Sequence, residues 1–203
     1  MKSLENIHVL LLKGGKGSER EVSLDTAKVC ANAIKQIGHK ITEVDIAEID
    51  ILSLKKINAD ICFNALHGDS GEDGSIQGLL NLLKIPYTHS GVATSAIAMN
   101  KINFKRIITS ATQSSDDPIH FPKTLDLRNN DKFYEVGYDG KFVVKPIRGG
   151  SSVGVNIVYG GNKIPIKNKL IKEELMAEIF VGSMELTVTV LKDNPLCVTE
   201  IIT

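Results

Sequence analysis

The sequence has no tryptophan, few aromatic residues and no net charge. These absences limit the composition of the core and the classes of partner that the protein can bind. Aromatic residues make up 5% of the 203 positions, so the core must be aliphatic. The 24 basic side chains are balanced by 24 acidic ones, whereas binding to a nucleic-acid backbone needs a basic excess. No apolar run approaches the roughly 18 residues of a membrane span. We therefore expect neither a nucleic-acid nor a membrane partner.

Cysteine is scarce and widely spaced. Cys30, Cys62 and Cys197 lie in apolar stretches, which is typical of reduced core thiols in a cytosolic protein. The apolar stretch Val9–Leu12 is too short for a signal peptide, and Lys13 interrupts it. We therefore expect a cytoplasmic protein.

The first 95 residues alternate between strand and helix patterns. Two short apolar runs, His8–Leu12 and Asp60–Leu66, predict strands, and so does the alternation of apolar and polar residues over Ile41–Ile46. Apolar spacings of three and four predict two helices, one along Ala27–Ile37 that Gly38 ends and one over Ser75–Leu83 with Ser75 as its N-cap. Strand–helix–strand repetition implies right-handed crossovers and a parallel sheet. Residues 1–95 are therefore predicted to form an α/β, doubly wound parallel-sheet domain.

After residue 95 the pattern changes to an α+β type, which predicts a second domain over residues 96–203. A helix over Ala96–Ile108 and a polar loop over Gln113–Asp117 come first. A small helix over Lys167–Leu175 then lies among short strand patterns, namely Phe142–Lys145, Val153–Val158, Leu186–Leu191 and Cys197–Ile202. The chain stops directly after an apolar strand, which native chains normally cover, so we expect a piece of a longer chain.

A glycine-rich segment, Gly14–Ser23, joins the first strand to the first helix. Its glycines allow a sharp turn and close approach to a ligand, but the dinucleotide GxGxxG spacing is absent. Glu19, at the carboxyl end of a strand, is a candidate for binding a ligand ammonium group. The alternative is that Glu19 or Glu21 only stabilises the first turn of the helix.

The segment His67–Gly74 follows the third predicted strand and contains three glycines and three acids. Ligands of open α/β sheets bind outside the carboxyl ends of the strands, and His67 there is suited to positioning a substrate oxygen. A flexible turn whose acids cap the following helix is the alternative. No HxxxH or CxxC spacing indicates zinc here.

The strand Val143–Lys145 and the glycine–serine segment Gly149–Gly154 form the most specific local pattern. Unshielded backbone N–H groups with a nearby lysine suit nucleotide phosphates, although the order of a Walker loop is missing. A glycine-rich β-hairpin is the alternative. Lys101 is a second candidate phosphate contact.

Five strings in this order resemble the D-alanine–D-alanine ligase family of ATP-grasp enzymes. They are GGKGSEREVSL, HGDSGEDGSIQGLLNLLKIPYTHSGV, AMNK, VVKP with GGSSVG, and AEIFVGSMELTVTVL, and they extend from about Gly14 to Leu191. The resemblance implies a pre-ATP-grasp domain followed by part of an ATP-grasp domain. Gly149, Asn100 and His89 differ from the residues that are usual in the family.

The resemblance implies an ATP-dependent ligase of peptidoglycan synthesis, and hence of cell wall biogenesis and cell shape. One D-alanine carboxylate attacks the γ-phosphate of ATP, and the amine of a second D-alanine displaces phosphate from the acyl phosphate. ATP and Mg²⁺ are the implied cofactors, and D-alanine is the implied substrate. A homodimer through the N-terminal domain is also implied.

The resemblance also implies the site residues. Glu19 would bind the first D-alanine ammonium group with His67 nearby, and Ser151 would orient the second D-alanine. The ATP-binding residues would be Lys101 and Lys145 at the phosphates, the loop Gly150, Ser151, Ser152, Val153 and Gly154 over them, Glu178, Ile179, Phe180 and Val181 at the adenine, and Glu185 at the ribose.

Chains of the family continue past this length and carry their Mg²⁺ ligands and a catalytic arginine there, so no metal ligand is expected within these 203 residues. We therefore expect the chain alone to be inactive, because losing preorganised charge costs orders of magnitude in rate. Two alternatives remain open, a D-alanine–D-lactate ligase and a non-catalytic remnant that binds nucleotide or D-alanine.

Overall fold

The computed structural model describes residues 6–130, 133–150, 152–160, 164–165, 174–182 and 184–202. The chain divides into two compact units, each formed by segments that are not contiguous in sequence. The first unit contains Met1–His120, Pro146–Gly154 and Lys172–Glu174, and the second contains Phe121–Lys145, Val155–Ile171 and Leu175–Thr203.

The first unit is built on a three-stranded parallel sheet. Its elements in chain order are β1 (His8–Lys13), α1 (Arg20–Gln36), β2 (Lys40–Asp45), a 3₁₀ helix (Ile51–Ile57), β3 (Ile61–Asn64), α2 (Ser75–Leu83), α3 (Val92–Met99) and α4 (Lys101–Thr112). The strand order is β2-β1-β3, with both neighbours parallel to β1. Because the three strands are parallel, their carboxyl ends lie at the same edge of the sheet.

Side chains cover both faces of this sheet. Leu11 of β1 packs with Ala27 and Ala31 of α1 on one face. Leu10 and Leu12 point to the other face, where a larger cluster includes Leu54 of the 3₁₀ helix and Leu80 of α2. The three leucines of β1 are fully buried, as expected for a strand covered on both sides. The predicted doubly wound α/β architecture of the N-terminal region is confirmed.

Three local predictions in this unit need correction. Ile37 is 68% exposed and does not belong to the buried stripe of α1, although Gly38 ends the helix with a φ of 84° as predicted. Ser75 is the first residue of α2 and not its N-cap, because Gly74 occupies that position. The carboxylate of Asp73 accepts the Ser75 N–H instead.

The predicted single helix Ala96–Ile108 is in fact two helices, α3 and α4. Asn100 has an extended backbone conformation between them, and its Oδ1 accepts the N–H of Asn103 at 3.0 Å. Asparagine is a preferred N-cap residue because its side chain satisfies a first-turn N–H group. Lys101 is therefore the first residue of α4 and does not lie in the middle of a longer helix.

The second unit consists of antiparallel pairs. Its strands are β4 (Thr124–Leu125), β5 (Leu127–Asn130), β6 (Phe133–Val136), β7 (Phe142–Pro146), β8 (Asn156–Val158), β9 (Ile164–Pro165), β10 (Leu175–Ile179), β11 (Glu185–Leu191) and β12 (Asn194–Ile201). They form sheets ordered β4-β10-β7-β8 and β5-β6-β9, and a β11-β12 hairpin. Val136, Phe142, Val144 and Ala177 form the buried core. The antiparallel character predicted for this region is confirmed.

Sequence patterns were less accurate in this unit. The strand predicted over Val153–Val158 begins at Asn156. Most of the predicted helix Lys167–Leu175 lies outside the described residues, and its last residue, Leu175, begins β10. Cys62 is buried and Cys30 half-buried, but Cys197 is exposed and is not a core thiol.

Within the described part of the chain, no helix is both long and apolar enough to cross a membrane.

Candidate ligand-binding site

The glycine-rich turn after β1 is held in place from two neighbouring strands. Gly14 and Gly15 have φ angles of 71° and 86°, which glycine adopts without steric cost. The Gly14 N–H donates to the Ser23 hydroxyl at 2.8 Å, and that hydroxyl donates to the Ala65 carbonyl at 2.7 Å. Ser23 is fully buried, so it ties the turn to the chain that leaves β3.

Asp45, the last residue of β2, holds the same turn from the other side. Its Oδ1 accepts the N–H groups of Gly15 at 3.2 Å and Ala47 at 2.9 Å. The Arg20 guanidinium lies 2.6 Å from Asp45 Oδ2 and also donates to the Gly15 carbonyl at 2.9 Å. Arg20 and these N–H groups stabilise the charged carboxylate, so they lower the pKa of Asp45 to about 2.

Glu19 lies between this turn and α1, and only 4% of it is exposed. It is the N-cap residue of α1, but its side chain does not cap the first turn with a hydrogen bond. A Cβ placed on Gly68 would lie 2.5 Å from Glu19 Oε1, and one on Gly150 would lie 3.8 Å from Oε2. Glycine at position 68 therefore leaves room for the carboxylate, whereas at position 150 a Cβ would make an ordinary van der Waals contact with it.

His67 and its loop lie beside Glu19. The His67 Nε2 is hydrogen-bonded to the Thr26 hydroxyl at 3.0 Å, and Nδ1 lies 3.8 Å from Glu72 Oε1. The Glu72 carboxylate also accepts the Gly68 N–H at 2.8 Å. Asp73 likewise accepts the N–H groups of Ser70 and Ser75. Two of the three acids therefore bind backbone N–H groups of the loop and of the start of α2, as the capping alternative predicts.

The segment Pro146–Gly154 packs against the start of α4 in the first unit. Lys101 donates from Nζ to the Gly149 carbonyl at 2.7 Å and from its N–H to the Ile147 carbonyl at 3.0 Å. The Gly149 N–H contacts the Met99 sulfur at 3.2 Å. Gly149 and Gly154 have φ angles of 93° and 74°. Lys101 thus holds the glycine segment, and its predicted phosphate contact remains a prediction.

These three segments enclose a cavity of about 340 Å³ within the first unit. Its lining brings together Glu19, His67, Gly150 and Val153 from the predicted set. The other lining residues are Gly17, Ser18, Gly68, Asp69, Pro146, Arg148, Gly149 and Glu174. Acidic and basic side chains in a cavity of this size suit a small zwitterion. Ser151 lies outside the described residues, and its neighbour Ser152 has a φ of 58°.

The second unit contains the other predicted positions. Lys145 on β7 and Glu178 on β10 form an ion pair with an Nζ–Oε2 distance of 2.5 Å. The Glu178 side chain is 5% exposed and that of Lys145 is 25% exposed. Because β7 and β10 are adjacent in the sheet, strand pairing fixes the separation of the two charges.

After Glu178, two backbone N–H groups of the predicted adenine segment form hydrogen bonds with other parts of the second unit. The Ile179 N–H donates to the Lys123 carbonyl and the Phe180 N–H to the Lys141 carbonyl, each at 3.0 Å. The Lys141 ammonium lies 3.8 Å from the centre of the Phe180 ring, a cation–π contact. Val181 is 57% exposed, and Glu185 is an exposed residue that begins β11.

Sequence reasoning missed Asp45, Arg20 and Arg148. Asp45 ends a predicted strand, so the rule that sites lie at the carboxyl ends of parallel strands was the available signal. Arg20 follows Glu19 directly, but nothing in the sequence pairs it with a residue 25 positions later. For a metal, the described residues include no group of three or more His, Cys, Asp or Glu side chains arranged to hold an ion.

Together, these elements define an α/β protein with a charged cavity beside the carboxyl ends of a parallel sheet. Residues 50–90 match the family described as "D-ala D-ala ligase N-terminus". The chain is 40% identical over 200 residues to the D-alanine–D-alanine ligase of Parvibaculum lavamentivorans and 42% identical to that of Methylobacterium radiotolerans. In both cases 96% of this chain aligns with 63% of the relative.

Solved structures agree with these sequence relatives. A D-alanine–D-alanine ligase from Bacillus anthracis is 29% identical, with a TM-score of 0.73 over 96% of this chain and 64% of that one. Its complex with ATP is 27% identical with a TM-score of 0.70, over 97% of this chain and 66% of that one. The chain is therefore similar to D-alanine–D-alanine ligases in sequence and in fold, and it spans about 63% of the length of the curated relatives it matches.

Proposed function

We propose that this chain provides the amino-acid site and part of the nucleotide site of an ATP-dependent ligase that joins two D-alanines for peptidoglycan synthesis. The observation that carries the proposal is the buried Glu19 carboxylate in a cavity shared with His67 and the glycine segment. A buried carboxylate favours a cationic partner, because the interaction is stronger where water is excluded.

Glu19 would bind the ammonium group of the first D-alanine in this cavity. Arg148, which also lines it, supplies the opposite charge that the substrate carboxylate needs. His67, hydrogen-bonded to Thr26, would hold a substrate oxygen. Ser151 would orient the second D-alanine, as the family resemblance implies. Holding the reacting groups in this way removes much of the entropic cost of bringing two substrates together.

ATP, the co-substrate, supplies the phosphoryl group that turns the carboxylate of the first D-alanine into an acyl phosphate. Lys145, oriented by Glu178, would neutralise phosphate charge with Lys101, and the loop Gly150–Gly154 would lie over the phosphates. Glu178, Ile179, Phe180 and Val181 would contact the adenine, and Glu185 would bind the ribose. Neutralising phosphate charge is the main task of a phosphoryl-transfer site.

The proposed requirement for Mg²⁺ rests on the family alone. The described residues include no group of three or more His, Cys, Asp or Glu side chains arranged to hold a metal ion, so they do not fit a magnesium site.

We also propose a cytoplasmic location, a homodimer through the N-terminal domain, and domains over residues 1–95 and 96–203. The relatives are named D-alanine–D-alanine ligases, so we favour D-alanine over D-lactate as the second substrate.

The proposal is tested by titrating D-alanine into this chain by isothermal calorimetry. Glu19→Gln removes the carboxylate charge at nearly constant size, and we expect it to weaken D-alanine binding about 10- to 100-fold, the value of a charged hydrogen bond. Glu21→Gln changes an exposed acid in the first turn of α1 and should leave the affinity unchanged.

L-Alanine is the second control, and a non-hydrolysable ATP analogue tests the nucleotide half of the proposal. The proposal fails if the unaltered chain binds D-alanine no better than the Glu19→Gln variant does. It also fails if Glu21→Gln weakens binding by the same factor.

A further inference from the structure

We infer that Asp45 and Arg20 are positioning residues that hold the turn Gly14–Glu19 in the shape that places Glu19 in the amino-acid site. This inference rests on the proposed function for the identity of the ligand. The contacts between Asp45, Arg20 and the turn rest on the geometry alone.

The two side chains hold both backbone polar groups of one residue in the turn, Gly15. Asp45 Oδ1 accepts the Gly15 N–H at 3.2 Å, while Arg20 donates to the Gly15 carbonyl at 2.9 Å. Arg20 also binds both oxygens of Asp45, at 3.0 Å and 2.6 Å. Two parallel contacts between a guanidinium and a carboxylate fix orientation as well as distance.

The glycine at position 14 provides the space for this arrangement. A Cβ on Gly14 would lie 2.4 Å from either carboxylate oxygen of Asp45, which is far inside van der Waals contact. Asp45 itself is 9% exposed. The carboxylate therefore packs directly against the backbone of the turn, where any other residue would displace it.

We call the contacts of Asp45 and Arg20 with Gly15 and with each other the clamp. The clamp acts at both ends of the segment that carries Glu19. Gly15 lies near its start, and Arg20, which begins α1, directly follows Glu19. Fixing Gly15 and Arg20 to the same carboxylate leaves few conformations for residues 16–19. Hydrogen bonds weaken steeply as their distance and angle depart from the optimum, so a displaced Glu19 should bind the ligand more weakly.

A second ion pair on β2 provides a matched comparison. Glu43 lies two residues before Asp45 and pairs with Lys13 at 2.8 Å and Lys35 at 3.0 Å. Its partners lie on β1 and near the end of α1. Glu43→Gln therefore removes the same charge from the same strand and leaves the Gly15 contacts unchanged.

The test measures D-alanine affinity by calorimetry for the full chain and for Asp45→Asn, Arg20→Gln and Glu43→Gln. Asp45→Asn keeps an acceptor for Gly15 but loses the charge, and Arg20→Gln keeps the carboxylate. We expect each of these two to weaken D-alanine binding about tenfold while Glu43→Gln has no effect. Equal affinity in all four proteins would overturn the inference.

General destabilisation is separated by Val44→Ala, which shortens a buried side chain next to Asp45. Urea unfolding ranks the stability of the variants. We expect Val44→Ala to lose at least as much stability as Asp45→Asn while binding D-alanine normally. If it loses affinity by the same factor, the clamp has no specific role and the inference is wrong.

Amide hydrogen exchange distinguishes a failed inference from a failed proposed function. If the unaltered chain binds no D-alanine, the proposed function fails, and the clamp is judged by exchange at Gly15, Lys16 and Gly17. Faster exchange in Asp45→Asn and Arg20→Gln, but not in Glu43→Gln, supports the clamp. Unchanged exchange overturns it.

Discussion

The two units hold their charged groups by different means. In the first unit, Glu19 and His67 lie in loops that follow parallel strands, and side chains such as Ser23 and Asp45 bind the backbone of those loops. In the second unit, Lys145 and Glu178 lie on adjacent strands and bind each other directly.

This difference predicts different sensitivities. Regular strand pairing sets the spacing of the Lys145–Glu178 pair, so the pair depends mainly on its own charges. A turn has no repeating hydrogen-bond ladder, so its shape depends on individual side chains and on glycines that permit positive φ. We therefore expect charge changes to dominate in the second unit and backbone changes to dominate in the first.

The largest effect on stability is expected from breaking the ion pair between Lys145 and Glu178. Lys145→Met removes the cationic partner of the buried Glu178 and should lower the free energy of unfolding by about 2–3 kcal/mol. Lys141→Met, which removes a cation–π contact with Phe180, should cost only about 0.5–1 kcal/mol. Urea unfolding measures both, and equal losses would contradict the importance of the pair.

The next effect tests the turn. Gly14→Ala places a methyl group 2.4 Å from the Asp45 oxygens at a φ of 71°, and we expect a loss of about 1–3 kcal/mol. At Gly17 a Cβ meets nothing within 4 Å, so Gly17→Ala should change stability by less than about 0.5 kcal/mol. Chemical unfolding of both variants gives the comparison, and similar costs would show that the turn tolerates displacement of Asp45.

A smaller loss of folding stability is expected when the pH is lowered. The pKa of Asp45 is about 2 in the folded chain, below its ordinary value, so Asp45 contributes stability that is complete above about pH 4 and is lost as the pH falls towards 2. The contribution is about 1 kcal/mol after allowance for solvent screening. Glu43 and Asp73 also have lowered pKa values, so they add to the acid loss.

This contribution is measured by urea unfolding at pH 5, 4, 3 and 2. The Asp45→Asn variant should show a flatter decline than the unaltered chain. Parallel declines in the two proteins would contradict the assignment to Asp45.

The last prediction compares the rates at which a cysteine in each unit is alkylated, and it involves no substitution. Burial raises the pKa of Cys62 in the first unit to about 12, whereas Cys197 in the second unit is exposed. Iodoacetamide should therefore modify Cys197 first, because the reactive species is the accessible thiolate. Peptide mass spectrometry over time gives both rates, and comparable rates would contradict the burial of Cys62.

Sequence patterns predicted the first unit better than the second for a physical reason. Strands β1 and β3 are buried on both faces and appear as apolar runs, and α2 shows a clear apolar stripe. In β10, by contrast, the buried Glu178 interrupts the apolar run, so the strand was not recognised. The break at Asn100 was missed because apolar spacing continues across it.

The candidate site was predictable where glycines and chemistry coincide in one segment. The motifs around Glu19, His67 and Gly150 were found in this way, and the structure brings them to one cavity. The clamp was not, because Arg20 and Asp45 approach each other only after β2 pairs beside β1. Long-range contacts of this kind leave no local sequence signal.

The segment Pro146–Gly154 belongs to the first unit although the residues before it belong to the second. This arrangement affects how the protein can be divided into fragments. Lys101 binds the backbone of that segment at two carbonyls, so a fragment ending at His120 would lack part of the wall of its own cavity. Any fragment intended to retain the cavity must therefore include residues 146–154 as well as residues 1–120.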